Sequence, residues 1–181
     1  MKIPISWLKK YIQFDSDVRE LSHDLTMAGL EVAGIDFVGD DWEDDYLIVG
    51  EILDISSHPN ADRLSIPKIH LGNDETITVV CGAPNIAIGQ KIAFAREGAT
   101  LVNPKNGKPE KLKANVIRGV ESRGMVCSAL ELGLSEENDG ILVLDGEFEI
   151  GVPLSTVLAD QIIETELTPN RPDCLSIIGT A

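Results

Sequence analysis

The segment that decides the fold of this chain is His58-Pro59-Asn60-Ala61-Asp62-Arg63-Leu64. It follows an apolar stretch at 46–55 that is rich in β-branched residues, which favours a strand. Pro59 has no backbone N–H and so ends the strand ladder, while Asn60 and Asp62 are expected to cap their own backbone in Asx-turns. A second apolar stretch, at 76–81, leads into the turn Gly82-Ala83-Pro84-Asn85. The two runs predict turns at the corners of a small β-structure.

Short apolar segments separated by turn residues fill the middle of the chain. We predict strands over 47–55, 64–71, 76–81, 91–95, 114–117, 125–127 and 141–144. Turns are predicted at 72–74, 103–107 and 138–140, where Gly, Asn, Asp and Pro cluster. Five or more short strands within about a hundred residues are typical of a small Greek-key barrel, although a β-sandwich fits the same count nearly as well.

The first forty residues have a helical pattern. One short helix is predicted after a cap at Ser6. A second is predicted after a cap at Ser16 or Asp17, because apolar residues then recur at helical spacing. Gly29 or Gly34 is expected to end that second helix.

Further predictions concern the flanks. Trp7 and Met27 are expected to lie in the core rather than to contact a ligand, and the acidic stretch at 40–45 suits a solvated linker. Near the other end we predict a short helix at 152–158 and a half-buried strand at 161–168, where apolar and acidic residues alternate. The chain then stops at the apparent start of a helix, so we expect this flank to be truncated at its carboxyl terminus.

Composition indicates a globular protein of ordinary size. The 181 residues are 43% hydrophobic and 25% charged, and the sequence has no apolar run of about 20 residues that would span a membrane. Its start lacks the apolar core of a signal peptide. Cys81, Cys127 and Cys174 are far apart and form no Cys-x-x-Cys pair, so we expect free, mostly buried thiols in a reducing cytoplasm. Neither a thiol hydrolase nor a metal site is expected from their surroundings.

Charge is distributed unevenly along the chain. The net charge of −15 by itself argues against a nucleic-acid partner, because binding requires basic groups. Residues 105–123, however, contain six Lys or Arg against two Glu, a local charge of +4. On composition alone, a solvated hairpin and a phosphate-facing patch explain that segment equally well.

The pattern of motifs is completed by a third run, Arg118-Gly119-Val120-Glu121-Ser122-Arg123-Gly124-Met125-Val126-Cys127-Ser128. Its two glycines suit positions where the backbone needs a positive φ or a close approach. Arg118, Arg123 and Ser128 carry polar groups that can reach phosphate or a base edge. With the runs at 58–64 and 79–85, this segment resembles the EMAP-II-like tRNA-binding domain, an OB-fold module, over residues 45–147.

The flanks resemble a narrower family. The runs Trp7-Leu8-Lys9-Lys10-Tyr11 and Thr168-Pro169-Asn170-Arg171-Pro172-Asp173 are similar to the amino-terminal part of bacterial phenylalanyl-tRNA synthetase β subunits. This resemblance implies a cytoplasmic heterotetramer of two α and two β subunits that charges phenylalanine-specific tRNA. It also implies that ATP and Mg²⁺ act on the α subunit of the holoenzyme and that the editing site lies beyond residue 181. No catalytic residue, cofactor or metal is therefore expected in this chain.

The expected architecture is a mixed α+β fold. An OB-fold β-barrel at 41–148 is inserted into a small discontinuous α/β domain at 1–40 and 149–181. The tRNA-binding candidates are Lys105, Lys108, Lys111, Lys113, Arg118, Arg123, Ser128 and Asn85. Two other roles stay open: a free-standing or methionyl-tRNA-synthetase-type tRNA-binding module, and a purely structural appendage for protein–protein contact.

Overall fold

A computed structural model describes residues 1–136 and 139–181 of the chain. Its strands are β1 (Lys2–Pro4), β2 (Glu31–Val38), β3 (Leu47–Ser57), β4 (Ser65–His70), β5 (Thr76–Thr78), β6 (Lys91–Arg96), β7 (Thr100–Val102), β8 (Pro109–Lys111), β9 (Asn115–Ile117), β10 (Val120–Ser122), β11 (Gly124–Val126) and β12 (Asp160–Glu166). Its helices are α1 (Ile5–Leu8), α2 (Val18–Met27), α3 (Ser155–Leu158) and α4 (Ile177–Thr180), with a 3₁₀ turn at Pro172–Leu175. No helix of the described residues is long and apolar enough to cross a membrane.

The chain divides into two compact units. Unit 1 consists of Met1–Asp40 and Leu158–Ala181, and unit 2 consists of Asp41–Val157. Unit 2 therefore lies, in chain order, between the two segments of unit 1.

Unit 1 is built on a three-stranded antiparallel sheet in the order β1-β12-β2. The predicted half-buried strand at 161–168 is confirmed as β12, whose Ile163 and Thr165 are buried. Ile163 lies opposite Ile3 of β1 and Ile35 of β2, so the central strand joins the two segments of the unit. The buried core around it consists of Ile3, Ile5, Leu8, Val18 and Ile163.

The α2 helix has the ends that the sequence predicts. Asp17 is its N-cap and accepts hydrogen bonds from the backbone N–H of Glu20 at 2.9 Å and of Arg19 at 2.7 Å. These hydrogen bonds hold the pKa of the Asp17 carboxyl below its usual value. At the other end Gly29 has a φ of 89°, and the N–H of Leu30 donates to the carbonyl of Leu25 at 2.9 Å, as in a Schellman motif.

Three predictions for the first forty residues are wrong. The segment is not wholly helical, because it also contains the strands β1 and β2. Both pair with β12, which lies more than 120 residues later in the chain than β2. Ser6 is not a cap: α1 begins at Ile5, and the Ser6 hydroxyl donates to the Asp160 carboxylate at 2.6 Å. Trp7 is 49% exposed and Met27 is 74% exposed, because neither falls on the buried side of its helix.

Unit 2 is built on a five-stranded antiparallel sheet in the order β11-β6-β3-β4-β5. Its first four strands, β3 to β6, lie in Greek-key order, since β6 returns to pair with β3. Residues 47–51 of β3 pair with β6, and residues 51–57 pair with β4. A register shift between Ile52 and Asp54 marks a bulge, which bends the strand and lets it serve both neighbours. The hairpins β7–β8 and β9–β10 form two further two-stranded sheets.

Most of the predicted strands of unit 2 are present. The segments predicted at 47–55, 64–71, 76–81, 91–95, 114–117 and 125–127 correspond to β3, β4, β5, β6, β9 and β11. The segment at 141–144 is not a strand and touches the sheet through a single bridge between Val143 and Ile92. The sequence analysis does not predict the three-residue strands β7, β8 and β10. The turns at 72–74 and 103–107 are confirmed, whereas Asn138 of the third predicted turn lies outside the described residues.

Unit 2 ends later in the chain than residue 148, where the sequence places its boundary. Residues 149–157 belong to it, because their backbone pairs with the first residues of β3. Val49 donates to the carbonyl of Val152 at 2.9 Å and accepts from the N–H of Gly151 at 2.8 Å. The N–H of Leu154 donates to the carbonyl of Leu47 at 2.8 Å. The helix predicted at 152–158 is present as the single turn α3.

The core of unit 2 is apolar and contains one of the three thiols, Cys81. Its buried members are Ile48, Ile52, Ile69, Leu71, Val79, Cys81, Ile92, Phe94, Val126 and Ile141. Cys81, Cys127 and Cys174 are all free and buried, which confirms the predicted state of the thiols. Burial raises the pKa of the Cys81 and Cys127 thiols above the ordinary value, so neither is an activated nucleophile.

We predict that Gly124→Ala destabilises unit 2 far more than Gly89→Ala. Both glycines have positive φ, 150° and 84°, but a Cβ at position 124 would lie 2.5 Å from Cζ of Phe94, whereas one at position 89 would meet nothing within 4 Å. We expect the free energy of unfolding to fall by about 3 kcal/mol or more for Gly124→Ala and by about 1 kcal/mol for Gly89→Ala. Urea denaturation measures both losses, and equal losses would contradict the packing explanation.

We also predict that the ion pair between Glu75 and Arg96 gives unit 2 a pH-dependent stability. Two hydrogen bonds of 2.7 Å from Arg96 lower the pKa of the Glu75 carboxyl. Because this pKa is lower in the folded protein, the contribution is present above the unfolded value of about 4.3 and is lost as the pH falls through the folded value. Both side chains are partly exposed, which limits the effect to at most about 1 kcal/mol.

Denaturation curves between pH 3 and pH 7 test this dependence. Glu75→Gln should make the stability of the protein fall less steeply below pH 5. The exposed Glu97→Gln is the matched control, because it removes a carboxylate in the same unit. Identical pH profiles for the two variants would show that the ion pair has no such effect.

Candidate nucleic-acid interface

Four exposed lysines lie on and directly after the β7–β8 hairpin of unit 2. We call them the lysine loop: Lys105, Lys108, Lys111 and Lys113. No carboxylate of the described residues forms an ion pair with any of the four. The lysine loop therefore concentrates positive charge at one place on an acidic protein.

Two asparagines shape this loop. Asn103 Oδ1 accepts a hydrogen bond from the backbone N–H of Lys105 at 2.8 Å, and Asn106 Oδ1 accepts one from the N–H of Lys108 at 2.9 Å. Gly107 completes the turn with a φ of 66°. These Asx-turns satisfy the backbone locally, so the lysines are carried on a turn of defined conformation.

A groove of about 530 Å³ opens beside the lysine loop. Its lining includes Lys105, Lys111 and Lys113 together with Leu101, Leu112, Met125, Glu110 and Glu131. Both carboxylates already accept hydrogen bonds from the protein: Glu110 from Asn103 Nδ2 at 2.6 Å, and Glu131 from the Ser128 hydroxyl at 2.8 Å. Three lysines against two engaged carboxylates leave a net positive lining, which suits a phosphate group.

Arg118 and Arg123, the two arginines among the tRNA-binding candidates, have different surroundings. Neither lines the groove. Arg118 is exposed at the tip of the β9–β10 hairpin, where Arg118 and Gly119 have φ values of 48° and 92°. Two successive positive φ values are typical of a type I′ turn. Arg123 lies between β10 and β11, and its Nε donates to the Glu121 carboxylate at 2.9 Å. Arg123 is thus already paired, whereas Arg118 forms no ion pair with the described residues.

Ser128, a predicted tRNA contact, is hydrogen-bonded within the protein. It is 4% exposed, its hydroxyl donates to Glu131 at 2.8 Å, and its backbone N–H donates to the same carboxylate oxygen at 2.7 Å. In return the N–H of Glu131 donates to the Ser128 hydroxyl at 3.3 Å. This is a reciprocal capping box, and the Ser-x-x-Glu spacing is the signal in the sequence that would have identified it.

Asn85 also holds the fold together. Its Nδ2 donates to the carbonyl of Ile141 at 3.0 Å, and its Oδ1 accepts from the N–H of Ile141 at 2.9 Å. Gly140 makes room for it, since a Cβ there would lie 2.2 Å from Asn85 Oδ1. This side chain therefore supplies the pairing that a neighbouring strand would otherwise give to Ile141. We leave Asn85 and Ser128 out of the proposed tRNA-binding surface.

Two of the four aromatic residues of unit 2 offer little surface for base stacking. Phe94 is fully buried. Tyr46 is 38% exposed but packs on Gly98, where a Cβ would lie 2.7 Å from Cε1 of the ring. Base stacking on aromatic rings is a main source of binding energy in OB-folds that hold single strands. This unit instead favours contacts with phosphate.

His58 and Asn60 form hydrogen bonds that the sequence does not predict. His58 is buried, and its Nε2 lies 3.1 Å from the carbonyl oxygen of Ile117. Asn60 does not cap its own backbone, because its Nδ2 donates to the carbonyl of Arg118 at 3.0 Å. No local pattern signals these hydrogen bonds, since the partners are 58 and 59 residues apart in the chain.

We predict that Asn85→Ala lowers the stability of unit 2 and leaves the tRNA affinity of the folded protein unchanged. The variant deprives the N–H and carbonyl of Ile141 of their partners, so the free energy of unfolding should fall by about 2 kcal/mol. Asn115→Ala, at an exposed position of β9, is the matched control and should change stability by less than about 0.5 kcal/mol. A weaker tRNA affinity with unchanged stability would instead restore Asn85 to the binding surface.

Known proteins resemble this chain over all or part of its length. A family model described as "Putative tRNA binding domain" matches residues 47–153. The whole chain is 49% identical to the phenylalanine–tRNA ligase beta subunit of Dehalococcoides mccartyi (strain CBDB1) and 45% identical to that of Ralstonia nicotianae. It spans 22% of the length of each of these relatives.

Two solved structures show a more distant likeness. The MetRS related protein from Pyrococcus horikoshii has a TM-score of 0.43 at 19% identity, over 78% of this chain and 98% of that one. The C-terminal domain of Plasmodium vivax p43 has a TM-score of 0.34 at 23% identity, over 45% of this chain and 44% of that one. The family model covers more than half of the chain, with the lysine loop and all three motifs inside the matched range. The chain therefore belongs to the tRNA-binding domain family.

Proposed function

We propose that this chain is the amino-terminal, tRNA-contacting part of a phenylalanine–tRNA ligase β subunit and that the lysine loop makes the contact. The observation that carries this proposal is the group of four exposed lysines beside the groove, none of them paired with a carboxylate of the described residues. A cluster of this kind can displace the counterions of a nucleic-acid backbone. Since phosphate contacts carry no sequence information, the lysine loop would position tRNA rather than select it.

Unit 2 is, in this proposal, an OB-type barrel within a mixed α+β protein. Support comes from the Greek-key order of β3 to β6 and from the bulged β3, which pairs with β6 in its first half and with β4 in its second. Unit 1, with its three-stranded sheet and helices drawn from both chain ends, is the discontinuous α/β domain that flanks it.

The activity of the whole protein is also part of this proposal. The relatives are ligases, so we propose a cytoplasmic heterotetramer of two α and two β subunits that charges phenylalanine-specific tRNA for protein synthesis. ATP and Mg²⁺ would then be used by the α subunit. Within residues 1–136 and 139–181, no group of three or more His, Cys, Asp or Glu side chains could hold a metal ion.

One observation favours a second, structural role for unit 1. Four large apolar side chains around a groove of about 360 Å³ are exposed: Trp7 at 49%, Tyr11 at 50%, and Leu175 and Ile178 at 66% each. Exposed apolar clusters of this kind are typical of protein–protein contact sites. Because the chain spans 22% of its relatives, we propose the rest of the β subunit as the partner of this cluster.

Titration of the chain with tRNA at increasing salt tests the RNA-binding role. Each neutralised phosphate should contribute about −0.7 to −0.9 to the slope of log affinity against log salt concentration. Changing Lys105, Lys108, Lys111 and Lys113 together to Ala should weaken binding and reduce the magnitude of the slope by about 2 to 4.

A control variant of equal charge separates the lysine loop from the general charge of the protein. Changing the exposed Lys9, Lys10, Arg19 and Lys68, none of which belongs to the lysine loop, to Ala also removes four positive charges. The slope of this control should stay within about 1 of the unaltered chain. Equal slopes for the two quadruple variants would contradict a local contact, and no binding at low salt would leave unit 2 with the structural role alone.

A further inference from the structure

The run from His58 to Leu64 forms a closed loop that reaches the β9–β10 hairpin. The N–H of His58 donates to the carbonyl of Leu64 at 3.1 Å, which closes the loop between the end of β3 and the start of β4. From this loop, the side chains of His58 and Asn60 approach two successive backbone carbonyls of the hairpin, those of Ile117 and Arg118. We call His58 and Asn60 the hairpin clamp.

Hydrogen-bond geometry defines the protonation of the His58 ring. The backbone N–H of Asn60 approaches Nδ1 at 3.1 Å, and a backbone N–H can only donate, so Nδ1 is the acceptor and carries no proton. Nε2 must then carry the proton, which it donates to the carbonyl of Ile117 at 3.1 Å. The buried ring is thus satisfied on both nitrogens and links its own loop to the hairpin.

The hairpin needs support from outside itself. β9 and β10 have three residues each, and a two-stranded hairpin is marginally stable on its own. Its turn also places Arg118, a residue with a side chain, at a φ of 48°, a backbone conformation that such residues rarely adopt. The two hydrogen bonds of the clamp fall on the residue before this turn and on Arg118 itself, where they oppose fraying.

The guanidinium that this turn presents is available for a ligand. Arg118 is exposed and has no ion pair within the described residues, whereas the nearby Arg123 is held by Glu121. A guanidinium on a fixed backbone loses less freedom on binding than one on a mobile loop, and its planar fork matches phosphate. The clamp therefore holds the backbone at the point from which this side chain extends.

We propose that His58 and Asn60 are positioning residues that hold Arg118 for contact with a phosphate of tRNA. This inference rests on the proposed tRNA-binding function and assigns a role to two residues of the run from His58 to Leu64. Neither clamp residue touches RNA. Each acts through the backbone of the hairpin, so its effect on binding depends on the presence of the Arg118 side chain.

A double-mutant cycle on the tRNA affinity of the chain tests this dependence. Arg118→Gln keeps the backbone carbonyl that Asn60 contacts and removes only the charge, so affinity should fall about three- to tenfold and the salt slope by about 1. Asn60→Ala should weaken binding by a comparable factor in the unaltered chain. In the Arg118→Gln background, Asn60→Ala should have no further effect on affinity. Arg123→Gln is the matched control. In a chain that carries Arg123→Gln, Asn60→Ala should weaken tRNA binding by the same factor as in the unaltered chain.

The outcomes separate this inference from the proposed function. If the quadruple lysine variant loses affinity but Arg118→Gln does not, tRNA binding stands and the inference is overturned. The inference would also be overturned if Asn60→Ala lowered tRNA affinity equally in the unaltered chain and in the Arg118→Gln variant. It would be overturned as well if Asn60→Ala lowered stability and left tRNA affinity unchanged. Absence of tRNA binding by the unaltered chain at low salt would overturn both.

A second measurement needs no variant and so avoids the risk of misfolding. Nitrogen-15 NMR of the His58 ring in the unaltered protein should show an unprotonated Nδ1 and a protonated Nε2 at neutral pH. Addition of tRNA should shift the backbone amide signals of Arg118 and Gly119, while the tautomer of His58 stays the same. The opposite tautomer, or unmoved hairpin signals at saturating tRNA, would contradict a clamp that positions Arg118.

Discussion

The five-stranded sheet of unit 2 depends on the pairing of one strand, β3. Its first residues are bonded on one side to β6 and on the other to the segment 151–154, and its later residues pair with β4. The bulge between Ile52 and Asp54 redirects the strand, and the chain then enters the run that begins at His58. Since backbone hydrogen bonds fix β3 along its whole length, they also fix where His58 and Asn60 reach the β9–β10 hairpin.

The charge of the protein can be reconciled with a polyanionic partner by considering distance. The net charge of −15 acts over long range, but salt screens exposed charges beyond about 8 Å at physiological ionic strength. Contacts of the lysine loop and Arg118 with phosphate would form well within that distance. An acidic protein can therefore bind RNA through a small basic surface, provided that its lysines are not consumed by internal ion pairs.

Polar residues of the three motifs divide into those that hold the fold and those that remain available. His58, Asn60, Asn85 and Ser128 each direct hydrogen bonds at the protein itself. The lysine loop and Arg118 have no such engagement among the described residues, apart from backbone bonds that shape their turns. The motifs that identify this family thus mainly describe how its loops are held, and in our proposal the contact surface consists of the lysine loop outside the motifs and of Arg118 at the start of the third motif.

Local features could be predicted from the sequence: the strands with β-branched residues, the α2 cap at Asp17, the turn at 103–107, the buried thiols and the basic segment. These features follow from residue propensities and short-range hydrogen bonds, which depend only on residues close together in the sequence. The tertiary structure was needed to establish that β1 and β2 flank β12, that 149–157 joins unit 2, and that Asn85 bonds to the backbone of Ile141. It likewise decided that His58 and Asn60 hold the backbone of Arg118. Most of these pairings join residues far apart in the chain, and their energy depends on a geometry that exists only once the fold has formed.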